Sequence, residues 1–132
     1  MTFKFEKLEV WNLALDYIDL IYQITDHLPK HEEYNIKSQI RRAAVSISLN
    51  IAEGSTGQSD TEQARFLGLA IRSLVETIAC LRIIESRHYL DEKGLRDINQ
   101  QAELLVRKLQ AFRNALRSET HHVSEETGEY DV

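Results

Sequence analysis

Few groupings in this chain have the residue types and spacing that chemistry needs. Glu85-Ser-Arg-His88 is one Glu-x-x-His step. A di-metal helical bundle needs that step on two helices plus two further carboxylates, and residues 1–118 hold no second copy. His27 and His31 lie four apart, but Pro29 breaks the helix face they would share. His121 and His122 stand near Glu125 and Glu126, where solvated histidines are the simpler reading. Cys80 has no sequence cue to an activating histidine and reads as a small packed hydrophobe. The Gly54–Gly57 loop lacks a Gly-Lys-Ser/Thr ending, and no lysine occurs between Lys37 and Lys93, so a Walker-type nucleotide loop is absent. No serine sits on a strand-to-helix elbow. The expectation is a protein that is not an enzyme, with no metal and no cofactor.

Two groupings remain. Lys37, Arg41 and Arg42, with Tyr34 and Lys30 nearby, make a modest basic and aromatic patch. Such a patch can contact phosphates and stack on a base; a solvated helix face is the plainer alternative. Gln39, Ser46, Asn50 and Glu53 interrupt an apolar helical pattern in the same segment. Polar groups placed that way form an internal network or line an interface. Further along, Arg65, Arg72, Arg82 and Arg87 alternate with Glu62, Glu76 and Glu85, several at ion-pair spacing.

The elements that position these residues follow from periodicity. The chain has 132 residues, enough for one domain, with one Pro and five Gly. So little punctuation favours long helices. The first is expected over about 8–28, with two stripes: Leu8, Trp11, Leu15, Ile18, Tyr22 and Val10, Ala14, Tyr17, Ile21, Ile24, Leu28. Together they are wider than one neighbouring helix needs, which points to self-association. The second helix is expected over 32–53. Val45, Ile47, Leu49 and Ile51 also alternate with polar residues as a strand would, but a lone strand has no partner here. The third is expected over 60–88, opened by a Ser59/Glu62 capping box. The fourth spans 92–118 with Asp91 as cap. Short loops imply an all-α, antiparallel up-down-up-down four-helix bundle.

The formal charge of −5 comes from 16 basic and 21 acidic residues. Glu119, Glu125, Glu126, Glu129 and Asp131 lie in the last fourteen residues, which hold no Lys or Arg. Residues 1–118 are therefore neutral, and 119–132 reads as an acidic, disordered tail. A single cysteine fits a reducing compartment. No apolar run approaches the ~20 residues that span a bilayer, and no leader is apparent, so a cytoplasmic location is expected.

The residues also carry a resemblance. Phe5-x-x-Leu8-Glu-Val-Trp11, then Gln39-Ile-Arg41-Arg42-Ala43-Ala-Val-Ser46-Ile-x-x-Asn50-Ile-Ala-Glu53-Gly54, then Phe66-Leu67-x-x-Ala70-x-x-Ser73-Leu-x-Glu76 follow one family's pattern over about residues 3–117. They resemble the four-helix bundle proteins encoded by intervening sequences of bacterial 23S rRNA genes. The resemblance implies a helical second segment and a homopentamer with a central channel. It also implies RNA as the suggested ligand. A similar bundle, the accessory variability determinant of diversity-generating retroelements, implies a reverse transcriptase as an alternative partner. A purely structural bundle without a nucleic-acid role is the other alternative. Ser73 and Glu76 join Gln39, Ser46, Asn50 and Glu53 as candidate interface residues. Three positions depart from the pattern: Arg72 and His88 stand where glycine is common, and Ile78 where a second glutamate is common.

Overall fold

The computed structural model describes residues 1–57 and 59–127, with side chains through residue 118. Four helices account for most of it: α1 (Glu9–Thr25), α2 (Ile36–Gly54), α3 (Asp60–Ser86) and α4 (Arg96–Thr127). Short 3₁₀ turns at Lys4–Lys7 and Lys30–Glu32 precede α1 and α2. No strand occurs among the described residues. The strand-like alternation in α2 is resolved by the helical period: Ile47 and Ile51 are buried with Ile40 and Ala44, whereas Leu49 faces outward.

Each helix packs on its neighbours in chain order, and α4 closes the square against α1. Side-chain pairs give the directions. Between α2 and α3, Ser46 meets Ser73 and Gly54 abuts Phe66. Between α3 and α4, Arg82 meets Asn99 and Gly68 lies against Arg113. In both cases later residues on one helix meet earlier residues on the next, so these neighbours are antiparallel. Glycine is needed at Gly54, because a Cβ there would lie 2.7 Å from the Phe66 Cβ.

The core takes one stripe from each helix: Val10, Ala14, Tyr17 and Ile21; Ile40, Ala44, Ile47 and Ile51; Leu67, Ala70, Leu74, Leu81 and Ile84; Leu95, Ile98, Ala102, Leu105 and Leu109. One polar pair is sealed inside it. The Tyr17 hydroxyl lies 2.8 Å from Thr77 Oγ1, and Thr77 also donates to the Leu74 carbonyl at 2.6 Å. Burial pushes the Tyr17 hydroxyl pKa up to about 12.

Helix ends differ from the sequence expectation, for local reasons. After Pro29 the chain makes a 3₁₀ turn before α2 begins at Ile36 rather than near 32. Ser59 caps α3 by accepting the Glu62 N–H at 3.0 Å, but the capping box is only half made, since the Glu62 carboxylate takes Arg65 Nε at 2.6 Å. α3 stops at Ser86 because His88 adopts φ 62°, which returns the Tyr89 N–H to the Ile84 carbonyl at 3.1 Å. Asp91 does not cap α4. Its carboxylate accepts the Gly94 N–H at 2.8 Å, forming a turn before the helix opens at Arg96. α4 continues past the expected end at Ser118 to Thr127. Of the acidic tail expected at 119–132, the backbone of 119–127 continues α4 where disorder was expected, and 128–132 lie outside the described residues. No helix among the described residues is long and apolar enough to cross a membrane.

Candidate functional site

The basic patch on α2 divides into three different environments. Lys37 donates to Glu33 one turn earlier, at 2.9 Å. Arg41 reaches back across the α1–α2 connection. Its Nε donates to Thr25 Oγ1 at 2.9 Å, and its Nη2 donates to the Tyr22 carbonyl at 3.2 Å and to Asp26 at 2.9 Å. The guanidinium also stacks 4.3 Å from the Tyr22 ring centroid. The Tyr22 carbonyl, which also accepts the Asp26 N–H at 3.2 Å, lies in the last turn of α1, where a cation complements the helix dipole. Arg42 is exposed, with one long contact of 3.4 Å to Ser38. Tyr34 is open to solvent.

The second grouping converges. Ser46 Oγ and Ser73 Oγ lie 2.9 Å apart, and Asn50 Nδ2 donates to the Ser46 carbonyl at 2.9 Å and to its hydroxyl at 3.2 Å. This hydrogen-bonded seam joins α2 to α3 at mid-height. It floors an open groove of about 440 Å³ lined by Ser46, Asn50, Leu69, Arg72, Ser73 and Glu76. Gln39 and Glu53 lie on the exposed side of α2 and make no hydrogen bond with their side chains among the described residues. Leu69 and Arg72 were missed as groove residues, since only the α2–α3 register brings them beside Ser46.

A further cluster ties together the two loops at one end of the bundle. The Tyr89 hydroxyl donates to Glu32 at 2.7 Å and lies 3.2 Å from His31 Nε2. Asn35 donates to the same carboxylate at 3.0 Å. These two donors hold the Glu32 pKa below the usual carboxylate range. Nothing in the sequence spacing linked Glu32 to Tyr89. Among the described residues no group of three or more His, Cys, Asp or Glu is placed to hold a metal ion. Glu85 and His88 line a shallow surface depression with Leu90, Asp91 and Glu92.

The outer surface keeps large apolar side chains in water. Leu49 is 58% exposed, Val75 53% and Ile83 49%. On α1, the expected outer stripe leaves Leu15 and Tyr22 well exposed, while Leu8, Trp11 and Ile18 are half-buried. Val75, Ala79 and Ile83 follow one another at four-residue steps along α3, all on the solvent side.

Comparison with known proteins agrees with the fold. A crystal structure of a protein of unknown function from the S23 ribosomal protein family of Bacteroides thetaiotaomicron VPI-5482 superposes with a TM-score of 0.72. Identity is 23%, over 79% of this chain and 97% of that one. No curated protein matches the chain. The family profile described as 23S rRNA-intervening sequence protein matches residues 6–111, a span that takes in α1, the α2 motif, the α2–α3 seam and the first half of α4. The chain therefore belongs to the 23S rRNA-intervening sequence protein family.

Proposed function

We propose that this chain is a non-enzymatic, self-associating helical-bundle scaffold of the cytoplasm that binds RNA or a protein that handles RNA. The observation that carries it is the outer apolar surface: Leu15 and Tyr22 on α1, Leu49 on α2, Val75 and Ile83 on α3. Fully burying one such aliphatic side chain contributes roughly 1.5–3 kcal/mol. Copies of the chain can cover these positions by one repeated contact, closing a ring, a pentamer as the family resemblance suggests.

RNA is supported by the family description and by two arginines flanking the α2–α3 face. Arg42 and Arg72 are exposed and form no ion pair among the described residues. Repeated around a ring, they concentrate a positive field that the neutral body averages away. Lys37 and Arg41, already paired with Glu33 and Asp26, favour a second reading, a protein-interaction bundle with no nucleic-acid role. A reverse transcriptase is the RNA-handling partner that the retroelement resemblance would supply.

The test is titration of a labelled structured RNA at two salt concentrations. Binding that weakens with salt, and weakens further in Arg42→Ala/Arg72→Ala, supports the RNA arm. Absence of binding at low salt removes that arm and leaves the protein-interaction bundle.

A further inference from the structure

Acidic residues are missing from one stretch of the bundle. Between Glu62 and Glu76 on α3, and between Glu103 and Glu119 on α4, the sequence holds no Asp or Glu. The same two segments hold six basic residues: Arg65, Arg72, Arg107, Lys108, Arg113 and Arg117. The antiparallel pairing of α3 with α4 sets the segments side by side, since Gly68 lies against Arg113. Arg65 is paired with Glu62 at 2.6 Å, and Lys108 with Glu9 at 3.2 Å. Arg72, Arg107, Arg113 and Arg117 form no ion pair among the described residues. In a body that is neutral overall, this stretch carries a local positive excess.

Arg113 supplies an independent observation. Its Nε is closed to solvent and has no hydrogen-bond partner, the one such buried side-chain atom among the described residues. Leaving a charged donor unpaired costs more than leaving a neutral one. The guanidinium lies on the backbone of Gly68, where a Cβ would stand 3.3 Å from Cζ, Nε and Nη2. Gly68 sits inside a helix of 27 residues, where glycine is less favourable than alanine. Nothing among the described residues compensates either cost, because Arg113 finds no acceptor there. A half-buried arginine short of an acceptor is completed by an anion from outside. Arg72 follows Gly68 by one turn and Arg117 follows Arg113 by one turn, so both border the same notch. Arg72 also lines the groove toward α2.

We propose that the α3–α4 face around Gly68 binds the phosphodiester backbone of an RNA strand, with Arg113 at its centre. The guanidinium lifts off Gly68 and sets its Nε–H and Nη2–H on two oxygens of one phosphate, while Arg72 and Arg117 take neighbouring phosphates. Contacts of this kind fix position and read no base sequence. A phosphodiester strand fits better than a single carboxylate, because unpaired arginines one turn apart match a ligand whose charges repeat along its length. The site rests on the RNA reading above and adds to it the residues that make the contact.

Fluorescence anisotropy of a labelled single-stranded RNA, titrated with the full chain at several salt concentrations, tests it. Arg113→Ala is expected to weaken binding about tenfold and to lower the slope of log affinity against log salt by about one, and Arg117→Ala likewise. Arg113→Lys keeps the charge and so the slope, but loses affinity because an ammonium lacks the planar fork. Arg96→Ala removes the same charge at the opposite end of α4 and should leave both quantities as they are. In NMR spectra of the arginine-labelled chain, the Arg113 Nε–H signal should move saturably with RNA. Should Arg113→Ala unfold by circular dichroism, Arg113→Lys and Arg117→Ala carry the test. RNA binding with unchanged affinity and slope in Arg113→Ala/Arg117→Ala overturns this site and leaves the RNA reading standing. An equal loss in Arg96→Ala overturns it too, since binding then follows net charge alone. Absence of binding at low salt removes the site and the RNA reading together. A lower solution mass in Arg113→Ala, with RNA binding intact, assigns the cluster to a carboxylate of a second copy and overturns the proposal.

Discussion

Arg41 Nε donates to Thr25 Oγ1 at 2.9 Å, and through this contact α2 holds the last turn of α1. Thr25 itself donates to the Ile21 carbonyl at 2.6 Å, so its oxygen is oriented to receive the arginine. The Arg41 guanidinium then takes the Tyr22 carbonyl and Asp26 with its outer nitrogen. One side chain thereby ends one helix and fixes its angle to the next.

Arg41→Ala is expected to cost about 1–3 kcal/mol, because the buried Thr25 and the Tyr22 carbonyl lose a charged donor. Arg41→Lys is expected to recover little of this, since a single ammonium cannot reach three acceptors from one planar group. Urea unfolding monitored by circular dichroism checks both.

Much of the bundle was legible in the sequence. The Val10, Ala14, Tyr17, Ile21 stripe is the buried side of α1. Ser46, Asn50 and Ser73 were singled out as polar residues in apolar periodicity, and they form the α2–α3 seam. Arg41 reads as a free cation in the sequence because its partners lie 15 to 19 positions earlier, across a turn whose geometry periodicity cannot supply. Local spacing reports helix faces well, and long-range side-chain partners hardly at all.

Tyr17→Phe removes the buried hydroxyl and is expected to cost about 1 kcal/mol, since Thr77 keeps its bond to the Leu74 carbonyl. The pH dependence has a definite sign. The folded Tyr17 pKa of about 12 lies above the ordinary value of 10.0, so the native state holds its proton where the unfolded state loses it. Stability is therefore fully present below pH ~10 and is lost as pH rises toward 12. Unfolding midpoints measured from pH 8 to 11 should fall less steeply in Tyr17→Phe than in the parent.

His88 and Gly54 make opposite demands on glycine. His88→Gly is expected to stabilise by about 1 kcal/mol, because φ 62° costs a side chain that glycine lacks. Gly54→Ala is expected to destabilise by about 1–3 kcal/mol, because the 2.7 Å approach to the Phe66 Cβ forces the two helices apart. Thermal melts of the two variants should move in opposite directions.

Acid should loosen the end of the bundle where the Tyr89 hydroxyl and the Asn35 amide meet Glu32. The depressed Glu32 pKa means that its contribution is present above the ordinary carboxylate range and lost as pH falls through the folded value. Amide exchange at Glu33–Asn35 and Leu90–Gly94 should accelerate below that range, and Tyr89→Phe should remove most of the difference.

The central claim is self-association through the outer apolar surface, and mass in solution tests it most directly. Light scattering at micromolar concentration is expected to give a multiple of 15.3 kDa for the parent chain. Leu49→Glu, exposed and outside the core, should lower that mass without altering the helical signal. A parent mass of 15.3 kDa, one subunit, would contradict the account.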